Sequence, residues 1–464
     1  MLGLVVLGTA LVVIDITIVA IGLPAIGADV GGPADALEWV VVSYLIAMGA
    51  VTQVVGSLSD RIGRRRVYLS GIVLFGAASL ACGLAPNLVL LDVARAVQGI
   101  GGAVLMVNAL PLLAHRYEGE QRNIAIATWG SASTAAGLIA PLLGGLLVDG
   151  LGWRSMFLLN VPLCAVALLV AVRVLPADGP GARRGPLDWT GTTLLAAALA
   201  VLGFALLRGE QQGWGSPATV AQLAAGVAAF TAFVLVERRA VAPVLDFALF
   251  RRSAFTGSAL AVFMSRVLSI GGTVYFVQYL QGALNLGATA AGLLLVPVFV
   301  AQIAAGMVTG KLLGRFHPGN VIAVGCLCKA AGAAGIAVAA APAAPAWVLV
   351  APLLVWGAGG GIAGVSVTVA INVTDKRYAG MVAGTVSSLA SIGAGIGTAA
   401  LGAVYGTWAG EHPSPESIAP ATAAVLTCSA VLAVLTMVVV MAMLSKRALA
   451  RYGEQSEAIG GRPA

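Results

Sequence analysis

The chain has 464 residues, of which 59% are hydrophobic and only 10% are charged. A soluble core of this size does not need so much apolar sequence, so the composition excludes a soluble globular protein and predicts a polytopic membrane protein. The five cysteines lie inside apolar runs and form no C-x-x-C pair, which argues against a metal site or a disulfide framework.

Fourteen apolar segments follow one another along the chain, each close to the ~20 residues that a helix needs to cross a bilayer. The predicted fold class is therefore an all-α polytopic membrane protein with 14 transmembrane helices. The predicted bounds are approximately 2–24, 38–59, 66–85, 88–113, 123–148, 153–175, 187–207, 217–236, 253–280, 288–313, 319–341, 344–372, 380–409 and 421–445.

Lys and Arg residues cluster in alternate loops between these segments. If the N-terminus is cytoplasmic, 21 of the 26 cations fall on the cytoplasmic side, and the opposite side holds only Arg154 and Arg208. Positively charged loops remain in the cytoplasm, so the pattern predicts that both termini are cytoplasmic. The same distribution accounts for the net charge of +7 without a nucleic-acid partner.

Two stretches repeat the same spacing of Gly, Leu and Arg, GSLSDRIGR from Gly56 and GKLLGRFHP from Gly310. Repeated bundles are the usual build of a secondary transporter, with the substrate site between the halves near the bilayer midplane. The repeat predicts a six-helix bundle over 1–175, a linker with helices 7 and 8 and an interfacial segment over 176–252, a second six-helix bundle over 253–445 and a cytoplasmic tail over 446–464.

Asp15 lies in the middle of the first apolar segment, where a carboxylate is costly unless it is neutralised, paired or facing water. It is either a proton-carrying group in an internal cavity or a buried residue that hydrogen-bonds a neighbouring helix. Arg95, in the fourth segment, is ~10 Å from the outer end of its helix and Asp15 is ~13 Å from that of its own, at 1.5 Å per residue. The two residues can meet if these helices are neighbours. A proton-coupling pair and a static ion pair are both open, and Asp92 can compete for Arg95.

At 56–66 the sequence GSLSDRIGRRR resembles the signature between helices 2 and 3 of the major facilitator superfamily. The stretch DITIVAIGLP at 15–24 resembles the helix-1 signature of its 14-helix drug:proton antiporters, and LDVARAVQGIGGA at 91–103 is similar to their helix-4 pattern. Further stretches of that branch are similar at 153–162, 188–191 and 278–282. The resemblance implies a major facilitator fold of two pseudo-symmetric six-helix bundles with two inserted linker helices. It also implies proton-driven export.

The signature loop has a physical role as well. Gly56 and Gly63 permit close helix approach and a tight turn, while Asp60, expected at the start of the third helix, can satisfy free backbone N–H groups there. The same carboxylate can pair with Arg61 or Arg64. The resemblance implies that this loop latches the outward-open state, and a plain charged loop is the alternative.

The fifth segment carries small residues at four-residue spacing, together with Pro141, Gly144 and Gly145. Small residues let helices touch and proline bends the helix axis. This stretch resembles the antiporter motif, with Ala140 where the family usually has Gly. That departure bears on whether the protein exports or imports.

Polar side chains in both predicted bundles are candidates for a substrate cavity, although such residues often only cross-link helices. The candidates are Asn108, Arg266, Tyr275, Gln278, Gln281 and Lys329. The tenth and thirteenth segments contain no Asp or Glu, so a neutral, zwitterionic or anionic substrate is favoured over a cationic one.

These features predict a proton-coupled secondary transporter, not an enzyme, that exports small amphipathic compounds such as drugs or antibiotics across the cell membrane. The expected partners are a small-molecule substrate, protons and the lipid bilayer, with no nucleic acid, no cofactor and no metal, and we expect a monomer driven by the proton gradient. The GGGIAG run at 359–364 follows no strand and indicates helix packing, not a nucleotide loop. One alternative is a proton-coupled importer or exchanger of an anionic metabolite, which fits Arg266 and Lys329, and another is a non-transporting membrane sensor.

Overall fold

The computed structural model describes residues 1–31, 34–176, 189–240, 249–313, 315–341, 345–372, 379–410 and 413–444. Helices connected by short turns make up these ranges, and they contain no β-strand. Most of the predicted linker before the seventh helix, the predicted interfacial stretch at 241–248 and the tail after residue 444 lie outside the described residues.

The helices follow the predicted apolar segments in order. Their bounds are α1 Leu2–Val30, α2 Ala34–Ile62, α3 Arg64–Gly83, α4 Leu88–Arg116, α5 Gly119–Leu151, α6 Arg154–Val174, α7 Trp189–Gln212, α8 Pro217–Glu237, α9 Ser253–Ala283, α10 Ala288–Leu313, α11 Pro318–Ala339, α12 Ala346–Ala370, α13 Ala379–Ala409 and α14 Pro415–Met443. Within the described ranges, thirteen helices are long and apolar enough to cross a membrane, and the apolar part of α2 is shorter, Ala36–Thr52. The count of fourteen spans remains a prediction.

The helix bounds differ most from the prediction at the end of α1 and at the start of α14, by six residues each. The predicted segment ends at residue 24, whereas α1 continues to Val30 with Pro24 inside it. A proline removes one backbone hydrogen bond without ending the helix when neighbouring packing compensates, and here Leu23 and Ile26 on either side are buried. The helix stops at Gly31, whose φ of 74° suits a glycine.

We call helices α1–α6 the first bundle and helices α9–α14 the second bundle. In the first bundle α4 packs against α2 and α3, and in the second α11 packs against α12 and α14 while α9 packs against α13. Two seams join the bundles, because α2 packs against α13 and α5 packs against α10. Any site that both bundles share therefore lies between these seams.

The α7–α8 hairpin packs over the seam between α2 and α13. Val42 and Ile46 of α2, Leu199 of α7 and Ile392 and Ala399 of α13 belong to one buried apolar cluster. Through α7, the inserted hairpin is thus in contact with both bundles along one face of the molecule.

Candidate functional site

Asp15 and Arg95 form an ion pair inside the first bundle. Arg95 Nη1 lies 2.5 Å from Asp15 Oδ2, and each residue is only 1% exposed. Gln98 Nε2 donates to Asp15 Oδ1 at 2.8 Å and Asn160 Nδ2 donates to the same oxygen at 3.1 Å. The residues expected at similar depth on neighbouring helices do meet, and both carboxylate oxygens are hydrogen-bonded.

The guanidinium of Arg95 is held from several directions. Its Nε donates to the Val40 carbonyl at 2.8 Å and its Nη1 donates to Gln98 Oε1 at 2.7 Å. The ring of Tyr44 lies under the guanidinium, 4.2 Å from centroid to Cζ. Helix α2 comes this close to α4 because Gly99 has no side chain, since a Cβ there would overlap the Tyr44 carbonyl. Arg95 is therefore fixed by α2, by its own helix and by Asp15.

Asp92, the expected competitor for Arg95, forms no ion pair with it among the described residues. Gln98 and Asn160 are members of this cluster without a predicted role. Gln98 lies one helical turn beyond Arg95, which puts both on one face of α4, and an asparagine in an apolar segment is the kind of residue that bonds a neighbouring helix.

This cluster is closed to solvent in the present conformation. Tyr44 and Phe157 lie against Arg95, with the Phe157 centroid 5.7 Å from Cζ, and Asp15 faces the interior of the first bundle. A proton from bulk water reaches Asp15 only if the first bundle rearranges. In this conformation the pair has the full set of hydrogen bonds that a buried ion pair requires.

The seam between α5 and α10 is in backbone contact. A Cβ on Gly145 would overlap Thr289, and a Cβ on Gly292 would overlap the Pro141 carbonyl. Gly144 faces the other way, where a Cβ would lie 2.6 Å from Ile18 of α1. The expectation that small residues here let helices touch is confirmed.

Asp149 of α5 caps the first turn of α10. Its carboxylate accepts hydrogen bonds from the backbone N–H groups of Ala288, at 3.2 Å, and Thr289, at 2.8 Å, and from the Thr289 hydroxyl, at 2.6 Å. Carboxylates stabilise helix N-termini because the free N–H groups there carry partial positive charge. This cap joins the two bundles.

The seam between α2 and α13 contains a second buried carboxyl group, Glu38, which is 3% exposed. Its carboxyl group lies beside the hydroxyl of Tyr275 in α9, and that hydroxyl donates to the Thr398 carbonyl at 2.8 Å. Gly402 of α13 leaves room for both groups, and the Tyr275 ring stacks on Tyr405 at 4.9 Å. Sequence reasoning missed Glu38, because an acid at the first residue of a predicted span indicates only the membrane interface.

Glu38 and Asp149 lie at the same end of the molecule. Asp149 is near the end of α5 and Glu38 is near the start of α2, which follows α1. The ends of α1 and α5 are close together, because Asp29 near the end of α1 pairs with Arg154, which follows α5. We call this the closed end. Gln281 also joins the bundles near it, donating from Nε2 to the Ile21 carbonyl at 2.8 Å.

The remaining expected cavity residues differ in their surroundings. Asn108 is fully buried and its Nδ2 bonds the Val104 carbonyl of its own helix at 2.9 Å, while Gln278 is half-buried. Tyr275 and Gln281 cross-link the bundles. Arg266 and Lys329, near the middle of α9 and α11, lie close enough for their charges to repel.

In the signature loop, α2 ends at Ile62 and α3 begins at Arg64. Gly63 between them has a φ of 112°, a conformation that favours glycine. A Cβ on Gly56 would lie 3.6 Å from Val107, which is ordinary contact, so the tight turn is confirmed at Gly63 while Gly56 is not in close helix contact.

The predicted position of Asp60 is wrong. Residues 60 and 61 belong to the last turn of α2, and the N-cap of α3 is Gly63, without a side-chain cap. The helix continues past its predicted end at residue 59 because no Gly or Pro follows before Gly63. The side chains of Asp60 and Arg61 lie outside the described residues, and Arg64 is half-buried at the first position of α3.

The glycine run of α12 packs helices. A Cβ on Gly359 would lie 2.5 Å from the Lys329 backbone nitrogen of α11, and one on Gly361 would overlap the Gln302 carbonyl of α10. The interpretation of this run as helix packing is confirmed.

Comparison with known proteins gives one family. The family model described as Major Facilitator Superfamily matches residues 5–398. A tetracenomycin C resistance and export protein of Streptomyces glaucescens is 33% identical over 416 residues, 87% of this chain and 75% of the relative. The drug efflux pump JefA of Mycobacterium tuberculosis (strain CDC 1551 / Oshkosh) is 33% identical over 410 residues, 87% of this chain and 80% of the relative.

The fold agrees with this grouping. The solved structure of a D-xylose–proton symporter superposes with a TM-score of 0.68 at 14% identity, covering 94% of this chain and 96% of that chain. Two helical bundles, a family match over most of the sequence and relatives at 33% identity lead to one conclusion: this multi-pass membrane protein belongs to the major facilitator superfamily and is a transporter, not an enzyme.

Proposed function

We propose that this protein is a proton-coupled antiporter that exports small amphipathic compounds, such as drugs or antibiotics, by alternating access. The relatives named as an efflux pump and as a resistance and export protein support the direction of transport. The observation that carries proton coupling is the buried pair of Asp15 and Arg95, 2.5 Å apart. Adding a proton to Asp15 removes the negative charge of this pair. Arg95 then lacks a counter-charge, and the stability of the first bundle changes.

The predicted topology, with both termini in the cytoplasm, puts the closed end on the outside of the cell membrane. The conformation described here is then the inward-facing state. In the proposed cycle the bundles, predicted as 1–175 and 253–445, rock about the seams while the linker 176–252 stays between them. The cytoplasmic loop of Gly56, Asp60, Arg61, Gly63 and Arg64 latches the outward-open state, and the monomer uses the proton gradient without a cofactor.

In that cycle Asp15 takes up a proton when the first bundle opens its cluster to the outside, and releases it toward the cytoplasm. Protonation removes the attraction between Asp15 and Arg95. It also weakens the hydrogen bonds that Gln98 and Asn160 donate to the Asp15 carboxylate. Arg95 keeps its bonds to Val40 and Gln98, so the arginine remains in place while the carboxyl group moves. Pro141, Gly144 and Gly145 let α5 slide between α1 and α10.

The test is Asp15→Asn in purified protein reconstituted into proteoliposomes with an internal pH dye. The variant keeps the side-chain shape and is expected to fold but to lose drug/proton exchange, with folding checked by thermal unfolding. Asp29→Asn is the matched control, because Asp29 lies on the same helix but pairs with Arg154 at its end. Normal exchange by Asp15→Asn would remove Asp15 from the mechanism.

A second candidate is a proton-coupled importer or exchanger of an anionic metabolite, favoured by the two neighbouring cations Arg266 and Lys329. Uptake in right-side-out vesicles with an imposed proton gradient decides between them. Gradient-driven accumulation of substrate supports import, and gradient-driven depletion supports export. A non-transporting sensor predicts no substrate-dependent proton movement in either assay.

A further inference from the structure

The second bundle contains two cations at mid-helix, Arg266 in α9 and Lys329 in α11. Lys329 is 4% exposed, and its Nζ donates to Ser269 Oγ at 2.5 Å and lies 5.2 Å from the centroid of the Trp356 ring. Arg266 is exposed, and it lies one helical turn before Ser269, the residue that accepts the Lys329 hydrogen bond. The two charges repel each other.

Neither cation has an acidic partner among the described residues, where the ion pairs recorded are those of Asp15 with Arg95 and Asp29 with Arg154. This contrasts with the first bundle, in which the buried arginine is fully neutralised. Two like charges at the middle of a membrane protein are unfavourable unless an anion joins them. The contacts with Trp356 and Ser269 are sufficient to explain the position of Lys329. They do not explain the presence of Arg266.

The space beside Lys329 is kept open by a glycine. A Cβ on Gly360 would lie 3.8 Å from Lys329 Nζ and 3.5 Å from Gln302 Oε1. The half-buried amide of Gln302 thus borders the same gap as the lysine ammonium. Four helices, α9 to α12, supply the groups around this gap, and its donors are suited to a planar acidic group.

We infer that Arg266 and Lys329, with Ser269 and Gln302, bind an ionised carboxylate of the transported compound, so that the exported substrates include amphipathic organic acids. This inference rests on the proposed function for its reference to export. The binding site itself stands on the two cations and on the gap beside Lys329. Arg266, the more exposed of the two cations, meets the acid first, and Lys329 receives it at the buried side.

The experiment measures binding of 1-naphthoate and its uncharged partner 1-naphthamide, which have nearly the same shape, to the purified full-length protein in detergent by scintillation proximity. We expect the acid to bind at least ten-fold more tightly than the amide. Lys329→Gln and Arg266→Gln should each abolish that preference, while Lys329→Arg should keep it. Arg154→Gln is the control, because it removes a cation at the first residue of α6, and it should leave both affinities unchanged. Thermal unfolding confirms that each variant is folded.

Equal binding of acid and amide, no binding of the acid, or the same preference in Lys329→Gln and Arg266→Gln as in the parent protein overturns the inference. Its failure is distinguishable from failure of the proposed function. Export of neutral compounds with proton exchange, but no preference for the acid, removes only the inference. A strong acid preference without any exchange of compound for protons removes only the antiporter proposal.

Discussion

The carboxylate of Asp149, in the first bundle, accepts a hydrogen bond of 2.8 Å from the backbone N–H of Thr289, in the second. The Thr289 hydroxyl adds a bond of 2.6 Å to the same oxygen. A helix of one bundle is thus capped by a residue of the other, and this cap exists only while the closed end is closed. Capping bonds of this kind are worth about 1 kcal/mol.

Asp149→Ala is therefore expected to open the closed end. Loss of about 1 kcal/mol corresponds to a roughly five-fold shift in the equilibrium between closed and open. Double electron–electron resonance between spin labels at Val89 and Trp347 measures the width of this end. The two residues belong to different bundles and are 72% and 75% exposed. Asp29→Ala is the control because Asp29 pairs within the first bundle, and identical distance distributions in both variants would contradict the prediction.

Gly145→Ala is expected to separate α5 from α10. The new Cβ would overlap the Cα of Thr289, and two helix backbones cannot yield as a flexible side chain does, so we expect a cost of about 1–3 kcal/mol to the closed state. The Val89–Trp347 distance should increase and transport should slow. Gly150→Ala on the same helix meets nothing within 4 Å and should behave as the parent protein does. Equal effects of the two substitutions would refute the argument.

Glu38 is a buried acid within the closed end, 3% exposed. The Tyr275 hydroxyl beside it has one proton, which it donates to the Thr398 carbonyl at 2.8 Å. The phenols of Tyr275 and Tyr405 lie near it across the seam. A negative charge is costly at such a buried position.

Glu38→Gln is therefore expected to raise the closed population, because burying an uncharged amide of the same shape costs less than burying a carboxylate. Tyr275→Phe, which removes the donor to the Thr398 carbonyl, should lower it. The Val89–Trp347 distance measures both variants, and an unchanged or longer distance in Glu38→Gln would contradict the prediction.

Gly63→Ala is expected to destabilise the turn between α2 and α3. Gly63 has a φ of 112°, and a side chain in such a conformation costs of order 1–3 kcal/mol. Gly56→Ala should have little effect, since its Cβ would make only ordinary contact with Val107. Thermal unfolding of the two variants separates these outcomes, and a larger loss for Gly56→Ala would show that helix packing, not the turn, requires the signature glycines.

The helices were predictable because each apolar run has the length that a bilayer imposes on it. The contact between Asp15 and Arg95 was predictable too, since both charges lie at similar depth on helices expected to be neighbours. Gln281 and Tyr275 show the limit of this reasoning: depth is readable from the sequence, but the direction of a side chain depends on which helix packs beside it. Glu38 was missed for the same reason, because only the position of Gly402, far along the chain, makes room for it.

The α7–α8 hairpin has a consequence for compounds dissolved in the bilayer. It shields the line where α2 meets α13 from lipid tails, and the opposite line, between α5 and α10, has no comparable cover among the described helices. A hydrophobic molecule that diffuses within the membrane therefore finds one flank of the protein blocked and the other accessible. The two flanks of this pseudo-symmetric molecule are unequal as lateral portals.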